Sequence, residues 1–180
     1  MNNPVAVIAA HPDDEVLGCG GTLARLALEG HPVHVLLLAD GETSRPLDKK
    51  AADDITRVEK RKALARRACE ILGCSTVDVL ALPDNRLDSV VLLDVVQLIE
   101  KFLSKHTPTT VFTHHGGDVN IDHQIVHNAV ITACRPLPGF HVKELLFFEV
   151  PSSTEWRPGG GPGAFVPDWF VDVSSTIEKK

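Results

Sequence analysis

The residues best equipped for chemistry form two clusters. His11-Pro12-Asp13-Asp14-Glu15 crowds an imidazole and three carboxylates into five positions, and His114-His115-Gly116-Gly117-Asp118-Val119-Asn120-Ile121-Asp122-His123 follows about a hundred residues later. Pro12 restricts His11 to an extended backbone, and a turn after it brings positions i and i+3 to one side, so His11 and Asp14 can face one point. Asp13 and Glu15 then leave in other directions, which frees Asp13 to act as a base. One imidazole and one carboxylate from the first cluster, with His123 from the second, make a His2Asp donor set that leaves a coordination position open for water or substrate. Zinc on such a set acidifies bound water and polarises a carbonyl. Taken alone, the first cluster is equally the signature of a solvated helix N-terminus, where carboxylates complement the helix dipole. A lone histidine such as His123 is more often a packing or surface residue.

The elements that must position these residues decide between the readings. Short apolar runs at Val5–Ala10, Val33–Ala39, Val77–Leu82, Val111–Thr113 and Leu145–Val150 read as strands buried on both faces. Helical patterns lie between them at Gly21–Glu29, Ile55–Leu72, Val90–Lys105 and His123–Cys134, closed by Gly73 and Pro136 where they end. Strand–helix alternation predicts an α/β fold, a Rossmann-like three-layer sandwich with a mostly parallel sheet in the order 3-2-1-4-5. In that order the first and fourth strands are neighbours at the switch point, and each cluster begins where one of them ends. That coincidence favours a metal site over two solvated turns.

Composition narrows the function classes. The 180 residues carry a formal net charge of −6 with a mean hydropathy of +0.03. They fit a single domain spanning 1–180, large enough for a core without disulfides. The acidic balance argues against a nucleic-acid partner. Val5–Ala10 is too short for a signal or membrane span, and no transmembrane segment is expected. Cys19, Cys69, Cys74 and Cys134 form no C-x-x-C pair and suit a cytoplasmic location. Arg157–Gly163 is too rich in Gly and Pro for regular structure and reads as a connecting loop that could edge a site. The Trp156-to-Trp169 region reads as either a lid or a subunit contact, which leaves a homo-oligomer open.

The chain resembles the PIG-L / LmbE-like family of zinc-dependent de-N-acetylases. The resemblance rests on His11-Pro12-Asp13-Asp14-Glu15 followed by Gly18-Cys19-Gly20-Gly21-Thr22, and on Gly117-Asp118-Val119-Asn120-Ile121-Asp122-His123. It extends to Leu38-Ala39-Asp40-Gly41-Glu42, Arg61 with Leu72-Gly73, and Leu82-Pro83-Asp84-Asn85. Carried over by position, it implies that His11, Asp14 and His123 hold Zn2+ or another divalent transition metal, and that Asp13 is the general base. It implies a charge-relay role for Asp122 and substrate contacts for Arg61. Asp84, near the same rim, is a candidate for binding a sugar hydroxyl, or a turn-forming residue. The substrate implied is an N-acetylated amino sugar or glycoconjugate, cleaved to acetate and an amine.

Three departures stand out. Many relatives carry histidine where this chain has Asn120, which can donate a hydrogen bond but no proton. Either Asn120 plays a weaker part in catalysis, or His114, His115 or a later residue supplies the acid. Leu64 stands where relatives often have glutamate. Ser174–Lys180 reads as a helix begun and cut short, so the chain is expected to be truncated. A dinucleotide site is disfavoured because the glycines after the first strand lack the G-x-G-x-x-G spacing and follow an acidic turn. A serine hydrolase lacks its nucleophile elbow. The alternatives retained are an amidase acting on a thiol-conjugate or longer acyl amide, and a metal-containing binding module without turnover.

Overall fold

A computed structural model describes residues 2–44, 51–161 and 163–180. The backbone order is β1 (Val5–Ala9), α1 (Asp14–Leu28), β2 (Val33–Ala39), α2 (Ala51–Leu72), β3 (Thr76–Leu82), α3 (Leu92–His106), β4 (Thr110–His114), α4 (Ile121–Ala133) and β5 (Glu144–Phe148). Short 3₁₀ turns occupy Leu87–Ser89, Thr154–Trp156 and Ile177–Lys179. The five strands lie in the order β3-β2-β1-β4-β5, as the alternation predicts, and β1–β2, β1–β4, β2–β3 and β4–β5 all pair in parallel.

Successive side chains of a strand point to opposite faces, and β1 divides accordingly. Ala6 and Ile8 face α3 and α4, packing with Val95, Ile99, Val126 and Val130. Val5, Val7 and Ala9 face α1 and α2, packing with Leu23, Ala24, Ala65 and Leu72. The helices leave β1 and β4 toward opposite faces, which opens a crevice at the carboxyl ends of these two strands. Burial on both faces holds for β1. It does not hold for the edge strands β3 and β5, which are largely half-buried or exposed because each has a neighbour on one side only.

The first helix begins seven residues earlier than its apolar pattern suggests, at Asp14 in place of Gly21. A glycine costs a helix about 1 kcal/mol relative to alanine, which is the reason for starting the pattern after Gly18-Cys19-Gly20-Gly21. Packing overrides that cost. A Cβ on Gly18 would overlap the Phe148 ring, and one on Gly21 would lie 3.0 Å from Val173. The glycines thus let α1 approach β5 and the C-terminal segment. The helix is kinked at Cys19, whose φ of −137° is not helical. Of the Arg157–Gly163 loop, Pro162 lies outside the described residues. Arg157 Nε donates to the Gly117 carbonyl at 2.7 Å, so this loop is tied to the start of the second polar cluster.

Candidate metal centre and active site

β1 ends at Ala9 and delivers His11 to the crevice. The turn expected after Pro12 forms: the His11 N–H donates to Asp14 Oδ2 at 2.8 Å, and the Asp14 N–H donates to the His11 carbonyl at 3.3 Å. Asp14 Oδ2 thereby comes to 3.2 Å from His11 Nδ1. On the other side of the crevice α4 projects His123 from its first turn, with Nε2 3.3 Å from both His11 Nδ1 and Asp14 Oδ2. All three side chains are buried. A tetrahedral ion with bond lengths near 2.0–2.1 Å keeps neighbouring donors about 3.3–3.4 Å apart. The His11, Asp14 and His123 atoms form a triangle of that size, so the residues present fit a divalent metal.

Each imidazole is fixed from behind by carboxylates. His11 Nε2 lies 3.1 Å from Asp122 Oδ2 and 3.1 Å from Asp84 Oδ1. Asp122 is fully buried and also accepts the Asn85 N–H at 2.7 Å and the Leu87 N–H at 2.9 Å. It therefore stands behind His11 and orients it. Asp84 is equally inward, with Oδ2 accepting from Ser44 Oγ at 2.6 Å. His11, Asp84 and Asp122 form a second close group of donors. Asp122 and Asp84 are already engaged by backbone and hydroxyl donors, so the triangle facing the pocket is the better metal site. His123 Nδ1 lies 3.0 Å from Asp118 Oδ2, which also accepts from Ser153 Oγ at 2.9 Å and Thr154 Oγ1 at 2.6 Å. Carboxylates in this position set the tautomer of a metal-binding histidine and raise its basicity.

The electrostatics of the cluster call for a cation. Burial opposes charge on His11, but hydrogen bonds to Asp122, Asp14 and Asp84 prevail and push it up to about 12. Burial likewise opposes charge on His123, and Asp118 and Asp14 push it up to about 9. Asp14 is held well below the carboxylate range: burial works against ionisation, and His114, His11 and His123 outweigh it. Protons on the imidazoles and a metal ion between them are competing ways of neutralising the same buried carboxylates.

Asp13 sits apart from its neighbours. Its φ of 126° is strained for a residue with a side chain, and the conformation turns its carboxylate out into the pocket. Glu15, fully buried, holds that backbone in place: its Oε2 accepts the Asp13 N–H at 3.0 Å. The solvated-helix-start reading of the first cluster fails here, since Asp14 and Glu15 are both inside the protein. Arg61 Nη2 reaches from α2 to Asp13 Oδ2 at 2.6 Å. Partial burial and the nearby Asp14 charge raise Asp13 from its ordinary value, while Arg61 pulls it back.

Asn120 is the N-cap of α4: its Oδ1 accepts the Asp122 N–H at 2.9 Å and its Nδ2 donates to Asn85 Oδ1 at 3.2 Å. Asparagine is among the preferred residues at that position, and the side chain borders the pocket. His114 is excluded as an acid. It is fully buried with Nε2 accepting the Ala10 N–H at 2.9 Å, and burial together with His123 holds it down to about 3. His115 points elsewhere, with Nε2 2.9 Å from the Gly163 carbonyl. Leu64 is 55% exposed on α2.

Asp118 and Ser153 have places in this network that the sequence does not assign them. Asp118 lies within the second cluster, and the need of a metal-binding histidine for a partner could have singled it out. Ser153 gives no such signal, because it follows the last strand. The pocket in front of the triangle measures about 270 Å³ and is lined by polar groups, among them Asp13, Ser44, Arg61, Asp84, Asn85 and Asn120.

Comparisons with known proteins identify the family. A deacetylase from Escherichia coli K12 named YaiS and described as uncharacterized is 32% identical over 174 residues, covering 94% of this chain and 81% of that protein. The 4-oxalmesaconate hydratase of Pseudomonas putida KT2440 is 28% identical over 200 residues, covering 100% of this chain and 72% of that protein. The crystal structure of a conserved protein from Thermus thermophilus superposes with a TM-score of 0.74 at 29% identity, covering 99% of this chain and 75% of that one. The PIG-L family model, described as GlcNAc-PI de-N-acetylase, matches residues 6–134, a span that includes both polar clusters, and the chain belongs to that family.

Proposed function

We propose that the protein is a metal-dependent N-deacetylase that hydrolyses the acetamide of an N-acetylated amino sugar or its glycoconjugate, releasing acetate and a free amine. The observation that carries this reading is the strained, outward-turned Asp13 beside the triangle of His11 Nδ1, Asp14 Oδ2 and His123 Nε2, a carboxylate that takes no part in ligation. His11, Asp14 and His123 would hold the ion, zinc being suited to this nitrogen and oxygen donor set; when bound it supplies a Lewis acid that polarises the acetamide oxygen and acidifies water.

The chain's own residues do the rest. Asp13 accepts a proton from the attacking water as it adds to the acetamide carbon. Arg61, paired with the same carboxylate, keeps Asp13 ionised and turned to the pocket. With His114 buried and neutral and Asn120 unable to release a proton, Asp13 is also the group that returns the proton to the departing amine. Asp122 and Asp118 hold the two imidazoles in place. The polar lining of the pocket, which includes Ser44, Asp84, Asn85 and Asn120, suits the hydroxyls of a sugar.

Acetate release from a panel of N-acetylglucosamine derivatives by the zinc-loaded protein tests the proposal, with 4-oxalmesaconate as the comparison substrate. Chelator-sensitive acetate release is expected. Hydration of the comparison substrate without any acetate release from the panel would overturn the assignment.

A further inference from the structure

Behind the Asp13 turn lies a second group of reactive side chains that the proposed mechanism does not use. The C-terminus of α2 ends in paired backbone bonds, Cys74 N–H to the Cys69 carbonyl at 2.9 Å and Gly73 N–H to the Glu70 carbonyl at 3.1 Å, with Gly73 at a φ of +83°. This closure places the side chains at its two ends against one another. Here both are cysteines, and the neighbouring Cys74 side chain, together with burial, pushes the Cys69 thiol up. A disulfide needs Cα atoms within about 7 Å, and a 2.9 Å backbone bond between the same two residues holds them inside that reach. Cys74 is partly exposed and Cys69 is 2% exposed.

The pair also touches the active-site turn. Cys69 Sγ lies 4.0 Å from Glu15 Oε1, and the other oxygen of Glu15 accepts the Asp13 N–H at 3.0 Å. We propose that Cys69 and Cys74 form a peroxide-oxidisable dithiol, and that closing it into a disulfide slows turnover by taking the Cys69 thiol away from Glu15, the residue that positions Asp13. Hydrogen peroxide oxidises the accessible Cys74 thiol to a sulfenic acid with release of water. The Cys69 sulfur then attacks the Cys74 sulfur; the S–O bond breaks, and the hydroxyl leaves with the Cys69 proton as a second water. Peroxide is the electron acceptor throughout.

The effect on turnover rests on the deacetylase reading, whereas the linkage and the loosening of the turn do not. The test therefore uses the reduced, zinc-loaded protein titrated with hydrogen peroxide and read four ways. Peptide mapping is expected to show a Cys69–Cys74 link that dithiothreitol removes. Amide exchange at Asp13 is expected to accelerate in the oxidised form, a readout independent of any substrate. Turnover should fall about five- to tenfold with KM unchanged, the scale of one hydrogen bond to a positioning carboxylate, while zinc content stays constant. Cys74→Ser should keep its basal turnover and lose the response to peroxide. Absence of the link in the folded protein overturns the proposal, as does a link that leaves Asp13 exchange unchanged. A reduced protein that releases no acetate at all would count against the deacetylase reading, and the mapping and exchange readouts would still decide the dithiol.

Discussion

Nε2 of His123 lies 3.3 Å from Nδ1 of His11, across a crevice between the ends of two neighbouring parallel strands. Two imidazole nitrogens at that distance, with Asp14 Oδ2 3.3 Å from one and 3.2 Å from the other, are spaced to share a divalent ion. Replacing His11 or His123 with alanine should remove stoichiometric zinc. His31→Ala and His141→Ala should retain it, since neither residue borders the crevice. Metal analysis of the purified variants checks this.

Asp13 does not belong to the triangle, so its carboxylate can be neutralised without disturbing the ion. Asp13→Asn is expected to keep zinc and to lose turnover by roughly 10²–10⁴-fold, the scale of a general base. Full activity in this variant would remove Asp13 from the mechanism.

The carboxylates behind the imidazoles act on affinity. Asp118→Asn should leave the fold intact and weaken zinc binding by about 10–100-fold, because His123 Nδ1 loses its charged partner at 3.0 Å. Competition with a chromophoric chelator measures the change. Equal affinity in the variant and the parent would mean that the backbone alone fixes His123.

Zinc affinity should rise with pH. In the metal-free protein, carboxylates push His11 up to about 12 and His123 up to about 9, so both carry protons at neutrality that a metal must displace. Calorimetry in buffers of different ionisation enthalpy should report proton release on binding. The same shifts set the sign of metal-free stability. A histidine raised to about 9 contributes stability that is fully present below its unfolded value near 6.5 and is lost as pH rises through about 9. Thermal denaturation of the metal-free protein should therefore show a lower Tm at pH 9 than at pH 6.5.

Gly18→Ala tests the packing of α1. Overpacking a filled interior costs about 1–3 kcal/mol, and the added methyl would meet the Phe148 ring, even though alanine is the better helix former. Urea denaturation should show a lower midpoint; a rise would mean that the ring moves aside at no cost.

The layered fold and the convergence of His11, Asp14 and His123 on one crevice were both legible in the order of the residues. Continuous apolar runs alternating with helical periods leave few arrangements for a parallel sheet, and two polar clusters placed at strand ends converge once the first and fourth strands are neighbours. His11, Asp14 and His123 stood out because their types and spacing are local facts. The rest depends on contacts between segments distant in the chain, and only the packed molecule contains those. Phe148 decides that α1 can run through its glycines, and burial decides that His114 is neutral and cannot serve as an acid. Asp84 turned inward to His11 for the same reason, and Ser153 entered the network only because the segment after β5 folds back over Asp118. Propensity and spacing act over a few residues; the field at a buried group is the sum over everything packed around it.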